Sequence, residues 1–470
     1  MPAKNSMSLD RRTLLKGAGA AGAGSLGMAT GAGLAAPVQP KPVRLQRAQG
    51  DPSTLVIAAA ASPSDLDPHS SYNYQSIMAL IGAYEGLIGL KDDSTTELEG
   101  LIAESWASNE DQSVWTFHLR PGVTFQDGTP VDSEAILLNY ERFFTLGLGP
   151  ISSMLRFVED LPWISAPDES TVVFDLQRAQ PLFPYALAST YGQPIVNAKL
   201  LREHEVDGDW GHEWAMFNAD GTGTGPYRIT KFEPEQVLEM ERYEDYWRGW
   251  DGNHFDKIVV RVVPEMETRR LLLEQGDADI VDALSVEIFE ALQGNPDIEI
   301  LSEFVTRNEY VAMTVAGPLE TPEARRAMNY AWPWVEVLEG VYGGVSRHPR
   351  GPIPPEIQGH DPNTFQFETN LDEAKALLEA AGVPEGTKLV FAMQTGLDQS
   401  KAASQLFQIN LAQIGIDLAI EEWDLTSYTN LFYGDTPPEE RPHFLLWGWW
   451  PEYNDAWNHL YPQVSCDAQG

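Results

Sequence analysis

Cysteine is nearly missing from the 470 residues: Cys466 is the only one, so no disulfide can close within the chain. The absence of cysteine near the start also excludes a lipid anchor built on a cleaved N-terminal cysteine. Positive charge is scarce as well. Lys and Arg number 31 against 69 Asp and Glu, a formal net charge of −38. Phosphate backbones are bound by basic faces, so nucleic acid is not an expected partner. The acidic excess suits solubility outside the cytoplasm, steering of cationic ligands or a salty habitat, and composition does not separate these. Metal-ligand spacing is lacking too. His69, His348, His360, His443 and His459 show no paired spacing, and each is expected at the surface. No metal and no cofactor is expected.

What is present is a globular composition, 43% hydrophobic and 10% aromatic, with no long low-complexity tract after the start. A chain this long exceeds one ordinary core and predicts two or three units. Residues 1–36 read as a targeting segment. Asp10-Arg-Arg-Thr-Leu-Leu-Lys16 precedes a mildly apolar Gly/Ala run, Gly17 to Ala36, in the manner of a twin-arginine signal cleaved near Ala35 or Ala36. The run is long enough to cross a bilayer, so an uncleaved anchor is the alternative, but its glycines make a poor one. Residues 37–53 read as a linker.

One stretch stands out beyond these. Trp447-Gly-Trp-Trp-Pro-Glu-Tyr-Asn-Asp455 packs four large aromatics and two carboxylates into nine residues, directly after the apolar Phe444-Leu-Leu446. Trp and Tyr are rarely buried whole, because their polar tips need partners. The pattern predicts a strand end opening onto an aromatic-lined surface, with Glu452 or Asp455 available to a cation; an edge cluster packed under a loop is the alternative.

The order of elements gives two lobes. Thr54-Leu-Val-Ile-Ala58 predicts a buried strand, and an apolar helical stretch follows from Ile77 to Leu87. Trp115 to Arg120 alternates as a half-buried strand, with Val123-Thr-Phe125 expected to pair back after Pro121-Gly122. A helix runs from Asp132 through Phe143. Gly221-Thr-Gly-Thr-Gly-Pro-Tyr227 is followed by an alternating strand rather than a helix, which argues against a phosphate loop. A boundary is expected at Val263-Pro264, between the strand Lys257 to Val263 and a helix from Thr268 to Glu274. Beyond it, Thr321-Pro-Glu323 and an Asn370/Glu373 capping box start helices. Strand Leu389 to Met393, a helix from Ser400 to Gln413 and strand Ile416 to Ile420 form a βαβ unit.

Several short motifs then occur in one order: Leu66-Asp-Pro-His69, Tyr84-Glu-Gly-Leu87, Leu101-Ile-Ala-Glu-Ser-Trp106, Thr116-Phe-His-Leu-Arg120, Gly122-Val-Thr-Phe-Gln-Asp-Gly-Thr-Pro130 and Gly223-Thr-Gly-Pro-Tyr227. From about Thr54 to its end the chain resembles the extracytoplasmic solute-binding proteins of family 5, the peptide- and nickel-binding group serving ABC importers. The resemblance implies an α/β, two-lobed periplasmic-binding-protein-like fold. Lobe one, 54–263, carries an extra α+β subdomain. Lobe two, 264–470, ends early and is expected to lack the return to lobe one. It implies a non-catalytic, monomeric, periplasmic or surface-associated protein that takes a peptide or other small molecule to membrane permease subunits. In that family an Asp matching Glu452 or Asp455 holds the ligand's α-ammonium. An Arg found before the tryptophan in some peptide binders is matched here by Leu446, and a common Pro by Ala456. Expected ligand contacts are Tyr72, Asn73, Tyr74, Trp449, Trp450, Glu452 and Asp455. Trp447, Trp449, Trp450 and Trp457 could instead stack on an oligosaccharide. A secreted glycosidase using Glu452 and Asp455 is a third reading, disfavoured because carboxylates three residues apart on one segment do not normally flank a bond.

Overall fold

The apolar run at Thr54 becomes β1 (Thr54–Ala59), the second strand of a five-stranded sheet. The computed structural model describes residues 52–464 except 93, 192, 302–304, 349, 396, 425–426, 429–430 and 432–435. The targeting segment, the linker as far as residue 51 and Cys466 lie outside the described residues. β10 (Lys257–Val262) and β11 (Ile280–Val281) flank β1 in parallel, and β9 (Val237–Arg242) and β8 (Tyr227–Glu233) extend the sheet antiparallel. Leu55, Ile229, Leu238, Met240 and Ile258 bury one face of it.

The expected boundary at Val263-Pro264 is corrected by this sheet. β11 pairs with β1, Ile57 opposite Ile280, so the segment after Pro264 returns to the first lobe. Arg269, only 2% exposed, is the reason the return is tight. Its Nη1 donates to the Val263 and Pro264 carbonyls at 2.6 and 2.7 Å, and its Nε and Nη2 to those of Asp282 and Ala283 at 3.1 and 2.8 Å. One side chain thus satisfies carbonyls at both strand ends. The first lobe's sheet therefore runs at least to Val281.

The α+β subdomain is built on an antiparallel sheet ordered β4 (Ala103–Ser108), β5 (Val114–Leu119), β7 (Thr171–Asp175), β6 (Ile164–Asp168), beside a short β2 (Ile88–Leu90), β3 (Leu98–Gly100) hairpin. Val123 to Phe125 does not pair back on β5, whose two edges are taken by β4 and β7; Thr124 bridges Pro130 instead. The helix Ser133–Leu146 starts on the Asp132 side chain and buries Ile136, Tyr140 and Phe143 in this core. The helix expected over 77–87 is the shorter Tyr74–Leu80. Its continuation is lost because the Gly82 and Ala83 carbonyls accept from Tyr227 and Gly225 N–H, both at 2.9 Å. A Cβ on Gly223 would collide with the Ala83 carbonyl, so this approach requires glycine.

The second lobe's sheet is ordered β12 (Asn308–Met313), β15 (Phe444–Trp449), β13 (Thr387–Gln394), β14 (Ile416–Trp423). β13, the helix Asp398–Gln413 and parallel β14 form the expected βαβ unit. Helix Pro322–Ala331 is capped by Thr321 and buries Ala324, Ala327, Met328 and Ala331. Asn370 caps Leu371–Ala380 by accepting from Glu373 N–H, but its own N–H donates to the Tyr330 carbonyl, so only half of the capping box forms.

Candidate functional site

β15 carries the chain to the edge of the second lobe, and residues 450–458 then run against the first. Tyr453 is 5% exposed and belongs to the subdomain's hydrophobic core. Its ring meets Phe157 at 5.9 Å between centroids, and its hydroxyl accepts from Arg156 Nη1 at 2.7 Å. The Arg156 guanidinium also lies over the Trp457 ring, which stacks on Tyr461 with centroids 4.4 Å apart. Burial, opposed by the Tyr453 hydroxyl and the Asp455 charge, draws the Arg156 pKa below its ordinary value.

Glu452 sits at the junction. Asn458, 3% exposed, takes the Glu452 N–H on its Oδ1 and donates its Nδ2 to Glu452 Oε2, both at 2.9 Å. One amide thereby fixes the main chain and the carboxylate together. The other oxygen, Oε1, accepts from the Tyr72 hydroxyl of the first lobe. Tyr72 is 42% exposed and packs edge-on against Tyr191 at 5.3 Å. Burial, and then the Glu452 charge, raise the Tyr191 pKa. Tyr74 is half-buried, and burial followed by the Asp282 charge raises its pKa as well.

Of the residues singled out from sequence, the structure thus brings Tyr72 and Glu452 into contact across the lobes. Asn73 is occupied otherwise: its Oδ1 caps the helix Tyr74–Leu80 through Ser76 N–H at 3.0 Å, and its Nδ2 donates to Ser64. Asp455 accepts from Trp457 N–H at 2.7 Å at the head of the helix Ala456–Val464, a capping role. Trp447 packs with Tyr428 and Leu445 on the far cluster of the second sheet. Trp449 is partly buried, and its Nε1 finds no hydrogen-bond partner among the described residues. Trp450 is 43% exposed, with the Arg307 guanidinium over its ring. Arg156, Tyr191, Arg307 and Asn458 were not legible as site residues. The spacing of Asp455 to Asn458 at a helix start was the one local signal, and it points to a cap.

His69 and His459 are fully buried, against the expectation of surface positions. His69 belongs to a sealed charge cluster in the first lobe, where Arg142 donates to both Asp67 and His69 Nδ1. Burial would raise the Asp67 carboxyl, but Arg142 and His212 hold it well below the usual carboxylate range. Hydrogen bonding to Asp67 raises the His212 pKa. The Leu66-Asp-Pro-His69 motif is therefore a framework element that sets the turn into Tyr72. Among the described residues there is no group of three or more His, Cys, Asp or Glu able to hold a metal, and no helix is long and apolar enough to cross a membrane.

Residues 97–470 match the family model of bacterial extracellular solute-binding proteins, family 5, middle region. The chain belongs to that family. It is 31% identical over 424 residues to a probable D,D-dipeptide-binding periplasmic protein of Escherichia coli (strain K12), over 88% of this chain and 78% of that one. A glutathione-binding protein of the same strain is 25% identical over 401 residues, 84% of this chain and 74% of its own. A periplasmic binding protein of Helicobacter pylori, solved with the peptide STSA, superposes with a TM-score of 0.71 at 25% identity, covering 87% of this chain and 80% of that one. A dipeptide-binding protein of Pseudoalteromonas sp. SM9913 with Met-Leu gives a TM-score of 0.75 over 88% of this chain and 84% of that one, and at 21% identity it shows the fold alone. The family 5 fold has two α/β lobes, and here the Tyr72 turn of one meets the segment after β15 of the other at the Tyr72–Glu452 hydrogen bond.

Proposed function

We propose that this family 5 protein captures peptides by their α-ammonium in the interlobe cleft and delivers them to the permease of an ABC importer. The observation that carries the reading is the Tyr72–Glu452 hydrogen bond. It joins the lobes at a carboxylate already oriented by Asn458, and an ammonium of the ligand can take up the same oxygen. The peptide and dipeptide ligands of its relatives support that ligand class. The role is binding, not hydrolysis: Asp455 is engaged as a helix cap, so the two carboxylates do not face each other across a bond. The protein works outside the cytoplasm, and Arg11-Arg12 with the Gly/Ala run support export by the twin-arginine route.

The test uses an equimolar tripeptide mixture with free or acetylated N-termini, bound to wild type and to Glu452→Gln and read by mass spectrometry of the retained fraction. Leaving a closed-in carboxylate without its partner costs about 2–5 kcal/mol. Acetylation should therefore lower retention by wild type about 30-fold or more, since ~1.4 kcal/mol is tenfold. The Glu452→Gln protein should bind both forms alike. Equal retention by wild type, or preference for an uncharged oligosaccharide, would move the reading to sugar stacking on Trp450.

A further inference from the structure

We propose that Asp282 holds a second positive charge of the ligand, a lysine or arginine side chain, so that the protein selects basic peptides; this rests on the peptide reading above. Asp282 directly follows β11, and Ala60 directly follows β1, the parallel strand beside it. Open α/β sheets bind their ligands outside the carboxyl ends of such strands. Asp282 Oδ1 accepts from the Ala60 N–H at 2.8 Å, which sets the carboxylate at the start of the segment leading from β1 to Tyr72. The next residue, Ala283, has a φ of 49°, in the left-handed region that alanine rarely adopts. Arg269 Nη2 pins its carbonyl at 2.8 Å, so an unfavourable turn is maintained beside this carboxylate, as strained backbone is at functional sites.

The carboxylate is fixed but not used up. Among the described residues no group hydrogen-bonds Asp282 Oδ2, and the side chain stays 25% exposed. Its ion-pair partner among them is Arg269, with Nε 3.9 Å from Oδ1, yet that guanidinium directs its Nε, Nη1 and Nη2 at the carbonyls of Val263, Pro264, Asp282 and Ala283. Burial raises the Asp282 carboxyl above its ordinary value, with the Ala60 N–H and the Arg269 charge opposing. A carboxylate desolvated this far gains most from a cation that brings its own N–H donors. Tyr74 joins this place to the ammonium anchor: the Asp282 charge acts on Tyr74, and the Tyr191 hydroxyl feels both Glu452 and Tyr74. Asp282 and Glu452 therefore flank the same tyrosines, one from each lobe. A ligand with an α-ammonium and a basic side chain presents one cation to each carboxylate. The net charge of −38 favours the approach of such a ligand.

The experiment uses the full chain and the tripeptides Lys-Ala-Ala, Ala-Lys-Ala and Ala-Ala-Lys, each also made with Nε-acetyllysine in place of lysine and with a blocked α-amine. All are bound to wild type, Asp282→Asn and Glu452→Gln and read by mass spectrometry of the retained fraction. Acetylating the lysine side chain should lower retention by wild type about 10- to 100-fold in at least one of these peptides. Asp282→Asn keeps the acceptor for the Ala60 N–H but not the charge. It should retain lysine and acetyllysine peptides alike and still reject a blocked α-amine, which doubles as proof that it is folded. Glu452→Gln should still prefer lysine. Equal retention of lysine and acetyllysine forms of all the peptides by wild type overturns the proposal, and that result needs no variant. A lysine preference that survives in Asp282→Asn overturns it too, assigning the preference to the general acidic field. So does a preference that disappears in Glu452→Gln alone. If wild type prefers lysine but ignores blocking of the α-amine, the Glu452 reading fails and the role of Asp282 stands.

Discussion

His69 shows what burial does to a single residue. Its ring is sealed, and its Nδ1 accepts from Arg142 at 3.0 Å, a geometry that needs the neutral imidazole. Burial first, and the Arg142 charge second, push its pKa down to about 3 from 6.5. A histidine with a depressed folded pKa stabilises the native state fully above its unfolded pKa. That contribution is lost as pH falls from about 6.5 towards about 3. His212 has the opposite sign: its raised pKa contributes below the unfolded value and is lost as pH rises through the folded one. Urea midpoints at pH 7 and pH 4.5 should fall for wild type and fall less for His69→Gln. An equal drop in both proteins would assign the acid sensitivity elsewhere. The same scale explains how Asn73 and Asp455, expected as ligand contacts, come to cap helices. Short polar side chains at turns look alike in sequence whether they face a ligand or a helix N-terminus, and here the backbone N–H groups of Ser76 and Trp457 claim them.

At the scale of elements, most strands and helices were legible because their burial is local and periodic. β1, β5, β8, β10, β13 and β14 follow from alternation or short apolar runs, and the helix after Thr321 from its cap and its alanine face. The misses came where another segment competed for the same backbone. Helix Tyr74–Leu80 stops early because the β8 turn takes the next carbonyls, and residues 123–125 find both edges of β5 filled. The segment after β15 leaves one lobe and seats Tyr453 in the core of the other. Deleting a ring this buried costs about 3 kcal/mol or more, and here that loss falls on the docking of the lobes. Tyr453→Ala should therefore give a larger radius of gyration by small-angle scattering in the absence of ligand. Tyr453→Phe, which keeps the ring but loses the Arg156 bond, should open less. Unchanged scattering in both would mean that Tyr453 is not what joins the lobes.

For the whole molecule, the Arg11-Arg12 pair predicts export by the twin-arginine route. Replacing both arginines with lysine should leave precursor in the cytoplasm of an expressing cell; normal appearance outside it would exclude the twin-arginine route. By itself the sequence determined the α/β class, the order of elements, the family and the stretch that holds Glu452. Each of these is written in residues near one another along the chain, as periodicity, caps and ordered motifs. Tertiary structure alone decided where the first lobe's sheet stops, because one arginine, Arg269, ties carbonyls on both sides of the expected boundary. It alone brought Tyr72 to Glu452, from a position 380 residues away. It also brought Arg307 across Gly448 to Trp450, a meeting set by strand register. Contacts of that span carry no local pattern: a hydrogen bond or a ring stack depends on final positions, which the packing of the lobes fixes.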